Sequence, residues 1–151
     1  MIQLQNVGYG YGGRSLLSGL NLDLPAGSFH FLTGPSGSGK TTILKLCYLD
    51  LRPDEGQITL FDQDAASLDR DNIAALRRRI GVVHQNCEFL DHLTLQANIA
   101  LPVTATGSGT PSSENDLNEL MVWVGLSERA DALPQELSGG ERQRGALARA
   151  V

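Results

Sequence analysis

The run Gly34-Pro35-Ser36-Gly37-Ser38-Gly39-Lys40-Thr41 fits the pattern G-x-x-x-x-G-K-[ST]. These residue types in this order suit a chain of phosphates. Glycines let the backbone fold into a nest of N–H groups, and a helix starting behind them adds its positive end. Lys40 supplies a mobile point charge for the β- and γ-phosphates. The Thr41 hydroxyl, next to Thr42, is placed to ligate Mg²⁺. The chemistry implied is binding of a nucleoside triphosphate. A second candidate lies far along the chain at Leu137-Ser138-Gly139-Gly140-Glu141. Ser138 reads there as the N-cap of a capping box closed by Glu141, and a serine, two glycines and a helix start make another anion site.

Both sites need elements to hold them. Ser28-Phe29-His30-Phe31-Leu32 reads as a strand running into Gly34, and 41–51, with Ile43, Leu46 and Cys47 at i, i+3 and i+4, as a buried helix behind it. Upstream, Ile2, Leu4 and Val7 start a strand, a Gly-rich turn surrounds Tyr9 and Tyr11, and Leu20, Leu22 and Leu24 alternate with Asn21 and Asp23. Downstream come a strand at 58–61 and a short helix at 69–79, on which Arg77-Arg78-Arg79 is expected to be a solvated face. The apolar run Ile80-Gly81-Val82-Val83 is expected as a strand stopping at His84-Gln85.

Beyond Gln85 the pattern turns helical. Thr94 caps a segment expected to stop before Pro102, and 104–112 has loop composition. A capping box Ser113-x-x-Asp116 precedes the stripe Leu117, Leu120, Met121 and Val124, which Gly125 closes. Ser138 opens a last helix through Ala146, Leu147 and Ala150. Trp123 is expected to pack among these helices, Cys47 to be buried, and Cys87 to be exposed.

Composition narrows the classes. The 151 residues suit one domain, and 41% hydrophobic against 19% charged residues is globular. Twelve Lys and Arg against 17 Asp and Glu leave a net charge of −5, which argues against a surface-wide grip on nucleic acid. Two cysteines form no disulfide framework and point to a reducing compartment. Met1-Ile2-Gln3 lacks a basic n-region and no apolar run approaches the ~20 residues of a membrane span, so a soluble, cytoplasmic domain is expected. His30, His84 and His92 lack metal-ligand spacing.

The segment 137–141, followed by Arg142-Gln143-Arg144, closely resembles the signature of ABC-type ATPases, and Gln85 resembles that family's Q-loop glutamine. Phosphate loop, Q-loop and signature stand in the family's order across the whole chain, although His84 replaces a common Phe. The resemblance implies an α/β fold: a P-loop NTPase (ABC ATPase) core with an N-terminal antiparallel β subdomain and an α-helical signature subdomain. Residues 1–85 would be the β subdomain and P-loop core, 86–140 the helical subdomain with the signature, and 141–151 a helix leading back to the core, together a single partial domain, 1–151.

The resemblance further implies ATP and Mg²⁺ as ligands. Tyr11, with Tyr9 as competitor, would stack on adenine, and Gly34, Pro35, Ser36, Gly37, Ser38, Gly39, Lys40, Thr41 and Thr42 would hold the phosphates. Gln85 would touch Mg²⁺ or the attacking water. Ser138, Gly139, Gly140 and Glu141 would bind ATP in trans within a head-to-tail homodimer. Glu88-Phe89-Leu90-Asp91-His92-Leu93 would face a membrane subunit. The family places its Walker B strand, catalytic Glu and switch His beyond Val151, so the C-terminal core strands are expected to be missing and hydrolysis to belong to a longer protein. Asp62, after Ile58-Thr59-Leu60-Phe61, imitates a Walker B aspartate but falls in the β subdomain.

Within the family, 29–36, 76–83 and 98–102 look like the cell-division ATP-binding type, FtsE. That implies an integral membrane partner of FtsX type and a peripheral position on the inner face of the plasma membrane. The alternatives are an ATPase of a lipoprotein-release or macrolide exporter, or a non-hydrolysing ATP-dependent clamp. A P-loop kinase leaves 138–141 unexplained. A DNA-associated ATPase would need a long coiled-coil insertion, for which there is no room between Gln85 and Ser138; no nucleic-acid partner is expected.

Overall fold

The computed structural model describes residues 1–106 and 114–151, which form two compact units, Met1–Ile80 and Gly81–Val151. The first is built on an antiparallel sheet ordered β2-β1-β3-β4 from β1 (Ile2–Tyr11), β2 (Arg14–Leu24), β3 (Glu55–Leu60) and β4 (Gln63–Asp64). Two-residue turns close its hairpins. Gly12 and Gly13 join β1 to β2 at φ 57° and 79°, and Phe61 and Asp62 join β3 to β4 at 49° and 65°. Positive φ at both central residues is the type I′ pattern, whose twist matches that of paired strands. Asp62 is therefore a hairpin-tip residue of this sheet.

Leu4, Val7, Ile58 and Leu60 point from this sheet into a core completed by Ile43, Leu46, Cys47 and Leu49, and by Ile73 and Leu76. The first group comes from α1 (Lys40–Cys47) and the turn after it, the second from α2 (Arg70–Arg77). Asp69 caps α2, its carboxylate accepting from the Asn72 N–H at 2.8 Å. The helix expected over 41–51 is shorter than that. Leu49 takes φ 59°, and Asp50 N–H turns back to the Lys45 carbonyl at 2.8 Å. Nor is that helix apolar-buried on most sides, because Leu44 stands exposed. Burial pushes the Cys47 thiol up to about 11, which makes it a packing residue and a poor nucleophile.

All three arginines of the run are exposed, as expected, yet two of them also reach specific groups. Arg77 Nε donates to the Tyr48 carbonyl at 3.2 Å and Arg77 Nη2 to that of Leu49, while Arg79 lies 3.9 Å from the Phe61 ring centroid. Long arginine stems reach carbonyls and rings that a face count overlooks.

Neither of the strands expected at 28–32 and 80–83 forms a ladder among the described residues. Phe29 and Phe31 meet edge to face at 4.9 Å and stand 80% and 82% exposed. Residues 28–32 and 82–83 carry strand-like apolar patterns, but a strand exists only through a hydrogen-bonded neighbour, and none stands beside either.

The second unit is helical. It holds α3 (Leu95–Thr106), α4 (Glu114–Trp123) and α5 (Gly139–Ala150) around a core of Leu95, Ile99, Met121, Val124, Leu126, Leu137 and Ala148. Thr94 caps α3 as expected, its Oγ1 accepting from Ala97 N–H at 3.2 Å. The helix runs through Pro102 to Thr106 instead of stopping before the proline, which also takes the start of the expected loop. The capping box at Ser113 and the rest of that loop, 107–113, lie outside the described residues.

Met121 and Val124 are buried, with Leu117 and Leu120 packed beside them, and Gly125 ends the run at φ 66°. Trp123 is 71% exposed and does not pack among the helices. At about 100° per residue its neighbour Val124 takes the inward face, and Trp123 turns out. Cys87 is buried, against expectation, and holds a left-handed φ of 61°.

Candidate nucleotide-binding site

The loop 34–39 is shaped by its glycines: Gly34, Gly37 and Gly39 have φ of 153°, 81° and 89°. Gly39 is the N-cap of α1, and a methyl there would approach Leu17 Cδ2 to 3.1 Å. Both its conformation and the closeness of β2 require a bare Cα. No side chain caps α1, so its first-turn N–H groups face the loop with the positive end of the helix behind them. Lys40 Nζ folds over the loop and donates to the carbonyls of Gly34 at 2.8 Å and Pro35 at 2.7 Å. Thr41 is exposed, whereas Thr42 is buried against the core. The loop thus gathers a cation, a hydroxyl and a row of backbone donors. That set fits a phosphate chain with a hard divalent cation.

Tyr11 ends β1, 54% exposed, its ring edge to face with Tyr9 at 5.0 Å. Desolvation and the Tyr11 hydroxyl raise the Tyr9 phenol above its ordinary value. Beside the same turn lies a cleft of about 580 Å³ lined in part by Tyr9, Gly10, Arg14, Ser15 and Asp54. Asp54 also accepts from Gly10 N–H at 2.8 Å, tying the turn to the loop before β3. The hairpin and the phosphate loop belong to one unit, joined where β2 packs on Gly39.

The remaining expected site residues lie in the second unit. Gln85 is exposed in a turn closed by the Cys87 N–H to the His84 carbonyl at 3.0 Å. Ser138 opens α5 with both halves of a capping box. Its hydroxyl donates to Glu141 Oε2 at 2.7 Å, its N–H donates to the same oxygen at 2.8 Å, and Glu141 N–H returns to Ser138 Oγ at 3.3 Å. Arg129 Nε donates to Glu141 Oε1 at 3.0 Å. Hydrogen bonds from Ser138, then Arg129, hold the Glu141 carboxyl down to about 2. Gly139 and Gly140 form the first turn, with open space where a Cβ would stand at Gly139.

Residue patterns missed several supporting groups. Arg129 lies twelve residues from its partner Glu141, a spacing with no helical or strand meaning. Asn98, fully buried, joins α3 to the segment before it, and only a polar residue on an apolar helix face hinted at this. Among the described residues no cluster of His, Cys, Asp and Glu could hold a metal ion, and no helix is long and apolar enough to cross a membrane.

A family model described as ABC transporter matches residues 17–151. The chain is 36% identical over its whole length to the methionine import ATP-binding protein MetN 1 of Yersinia pestis, covering 45% of that protein. It is 43% identical over 138 residues, 91% of the chain, to the lipoprotein-releasing system ATP-binding protein LolD 1 of Rhodopirellula baltica, covering 60% of it. The ATP-binding cassette MJ0796, solved as a dimer in a post-hydrolysis state bound to ADP and Pi, aligns over the whole chain. Its TM-score is 0.89 at 34% identity, with 69% of its own chain covered. The chain thus spans about half the length of the methionine-import relatives it matches.

Proposed function

The chain belongs to the ABC transporter family and has its ATPase fold, and from that premise we propose that it binds Mg-ATP at 34–42 as the ATP-binding subunit of a membrane complex. The observation that carries this reading is the loop itself: Lys40 over a glycine nest at an uncapped helix start. An arriving phosphate chain offers Lys40 charged oxygens in place of the two carbonyls it now holds, and charge-assisted bonds are the stronger ones. Thr41 and Gln85 would hold Mg²⁺, which when bound neutralises part of the phosphate charge. Tyr11 offers a π-face to the base.

The signature residues Ser138, Gly139, Gly140 and Glu141 are proposed to meet the nucleotide of a second copy in a head-to-tail homodimer. The cassette MJ0796, similar along the whole chain, was solved as a dimer. Hydrolysis is proposed for the whole protein.

For the complex served, the relatives' printed roles are methionine import and lipoprotein release. The cell-division reading, with an FtsX-type partner, rests on the segments 29–36, 76–83 and 98–102 alone. The lipoprotein-release reading has 43% identity behind it and is preferred. Either places the subunit on the cytoplasmic face of its membrane partner.

Calorimetry with ATP and Mg²⁺ on the parent and Lys40→Ala tests the central reading. An affinity that falls about tenfold or more in the variant supports it, and an unchanged affinity refutes it. Complementation of strains lacking either the lipoprotein-release ATPase or the cell-division ATPase separates the two finer readings.

A further inference from the structure

Arg149, in the last turn of α5, ignores its own helix and reaches back to residues 61 and 62 positions earlier. Its Nη2 donates to the Cys87 carbonyl at 2.6 Å and its Nη1 to the Glu88 carbonyl at 2.8 Å. The guanidinium also lies 5.0 Å from the centroid of the Phe89 ring. These carbonyls belong to a strained stretch. Cys87 and Glu88 have φ of 61° and 41°, a left-handed region that residues with a Cβ avoid unless their surroundings hold them there.

The stretch is also the exit of the turn that carries Gln85. Cys87 N–H closes that turn on His84, and Glu88 N–H bonds the Asn86 carbonyl at 2.8 Å. A planar guanidinium can orient two successive peptide planes at once, which the point charge of a lysine cannot. The rest of α5 packs against the same segment. A methyl on Gly145 would approach Phe89 Cζ to 3.2 Å, and one on Gly81 would run into the Ala150 carbonyl. The helix that begins at Ser138 thus ends by clamping the turn that bears Gln85.

We propose that Arg149 is a positioning residue for Gln85: its fork holds the Cys87 and Glu88 peptides in their left-handed conformation and so fixes the glutamine's turn relative to the signature helix. This rests on the reading that Gln85 serves the nucleotide.

The test is steady-state ATP turnover by the full-length protein in its membrane complex, for the parent, Arg149→Ala, Arg149→Lys, Gln85→Ala and the Gln85→Ala/Arg149→Ala pair. Displacing a positioned group by about 1 Å costs on the order of 100-fold. Arg149→Ala is therefore expected to lower kcat by about 10–100-fold with KM for ATP nearly unchanged. Arg149→Lys should recover little of that loss. The double variant should be no slower than Gln85→Ala alone. Amide exchange should quicken at 86–89 in Arg149→Ala while 142–148 stay protected, which separates a loosened turn from an unfolded helix.

Parent-like turnover in Arg149→Ala, or losses that multiply in the double variant, would overturn the proposal. If Gln85→Ala itself turned over like the parent, the underlying reading of Gln85 would fall and the proposal with it. Should Arg149→Ala not fold, Arg149→Lys carries the same comparison.

Discussion

Glu141 Oε2 accepts both the backbone N–H and the hydroxyl of Ser138, at 2.8 and 2.7 Å, so one carboxylate oxygen saturates the donors of the residue that opens α5. This makes the helix start self-sufficient, unlike the start of α1, which no side chain caps. A phosphate binding at Ser138 would have to take over the hydroxyl proton that Glu141 now holds. Arg129, on the carboxylate's other oxygen, offsets part of the negative charge such a phosphate would meet.

The Glu141 carboxyl, ordinarily near 4.5, is held at about 2, which fixes the sign of a pH effect. Its stabilising contribution is fully present above pH 4.5. It declines as pH falls towards 2, because the unfolded chain takes up a proton that the folded one still refuses. Denaturant midpoints across this range should fall with pH, and Glu141→Gln should flatten that part of the profile.

Lys40→Ala should leave the melting temperature close to that of the parent, because Lys40 holds only exposed loop carbonyls. Its affinity for Mg-ATP should drop by roughly tenfold or more, the value of one charge-assisted bond. Raising the salt concentration should weaken parent binding and scarcely affect the variant. Isothermal titration at two ionic strengths measures both.

Asn98 is fully buried and makes four bonds. Its Oδ1 accepts from Leu90 N–H at 2.8 Å, and the two hydrogens of its Nδ2 are shared among the carbonyls of Leu90, Leu93 and Thr94 at 3.1, 3.0 and 3.0 Å. Asn98→Ala would take this partner from the Leu90 N–H and the Leu93 carbonyl, while the carbonyls of Leu90 and Thr94 keep the N–H groups of Leu93 and residue 98, a loss of roughly 2–4 kcal/mol. Asn98→Asp, lacking the donors, should do no better. Urea unfolding of both variants checks this.

If Tyr11 stacks on the base, Tyr11→Ala should weaken ATP binding by an amount of order 1–3 kcal/mol, while Tyr11→Phe keeps most of it. The same substitutions at Tyr9 should act chiefly on stability, since Tyr9 packs against the sheet core. Parallel titrations and melts of the four variants distinguish the two rings.

The features legible in the sequence are those written in local chemistry. The glycines of 34–39, the caps at Thr94 and Ser138 and the alternation at 20–24 each depend on neighbours within a few residues, and the structure forms every one. What escaped depends on partners far along the chain. Phe29 and Phe31 have strand character, but pairing is not a property of one segment. Cys87 looked exposed because nothing nearby says that Arg149, 62 positions on, folds back onto its carbonyl. Pro102 read as a stop, yet the helix continues through it, its packing overriding one lost N–H. Arg77 read as part of a charged face, and nothing singled out Arg129 or Arg149, yet each binds a group 12 or more positions away.

Trp123 is the chain's one tryptophan, and its indole already lies in water on the outer face of α4. Unfolding would move that ring from solvent to solvent, so its fluorescence should stay nearly flat through a transition that circular dichroism records in full. A shift or quench of that emission in the folded protein would then mean that something has landed on α4. Optically, the molecule carries a reporter of contact rather than of folding.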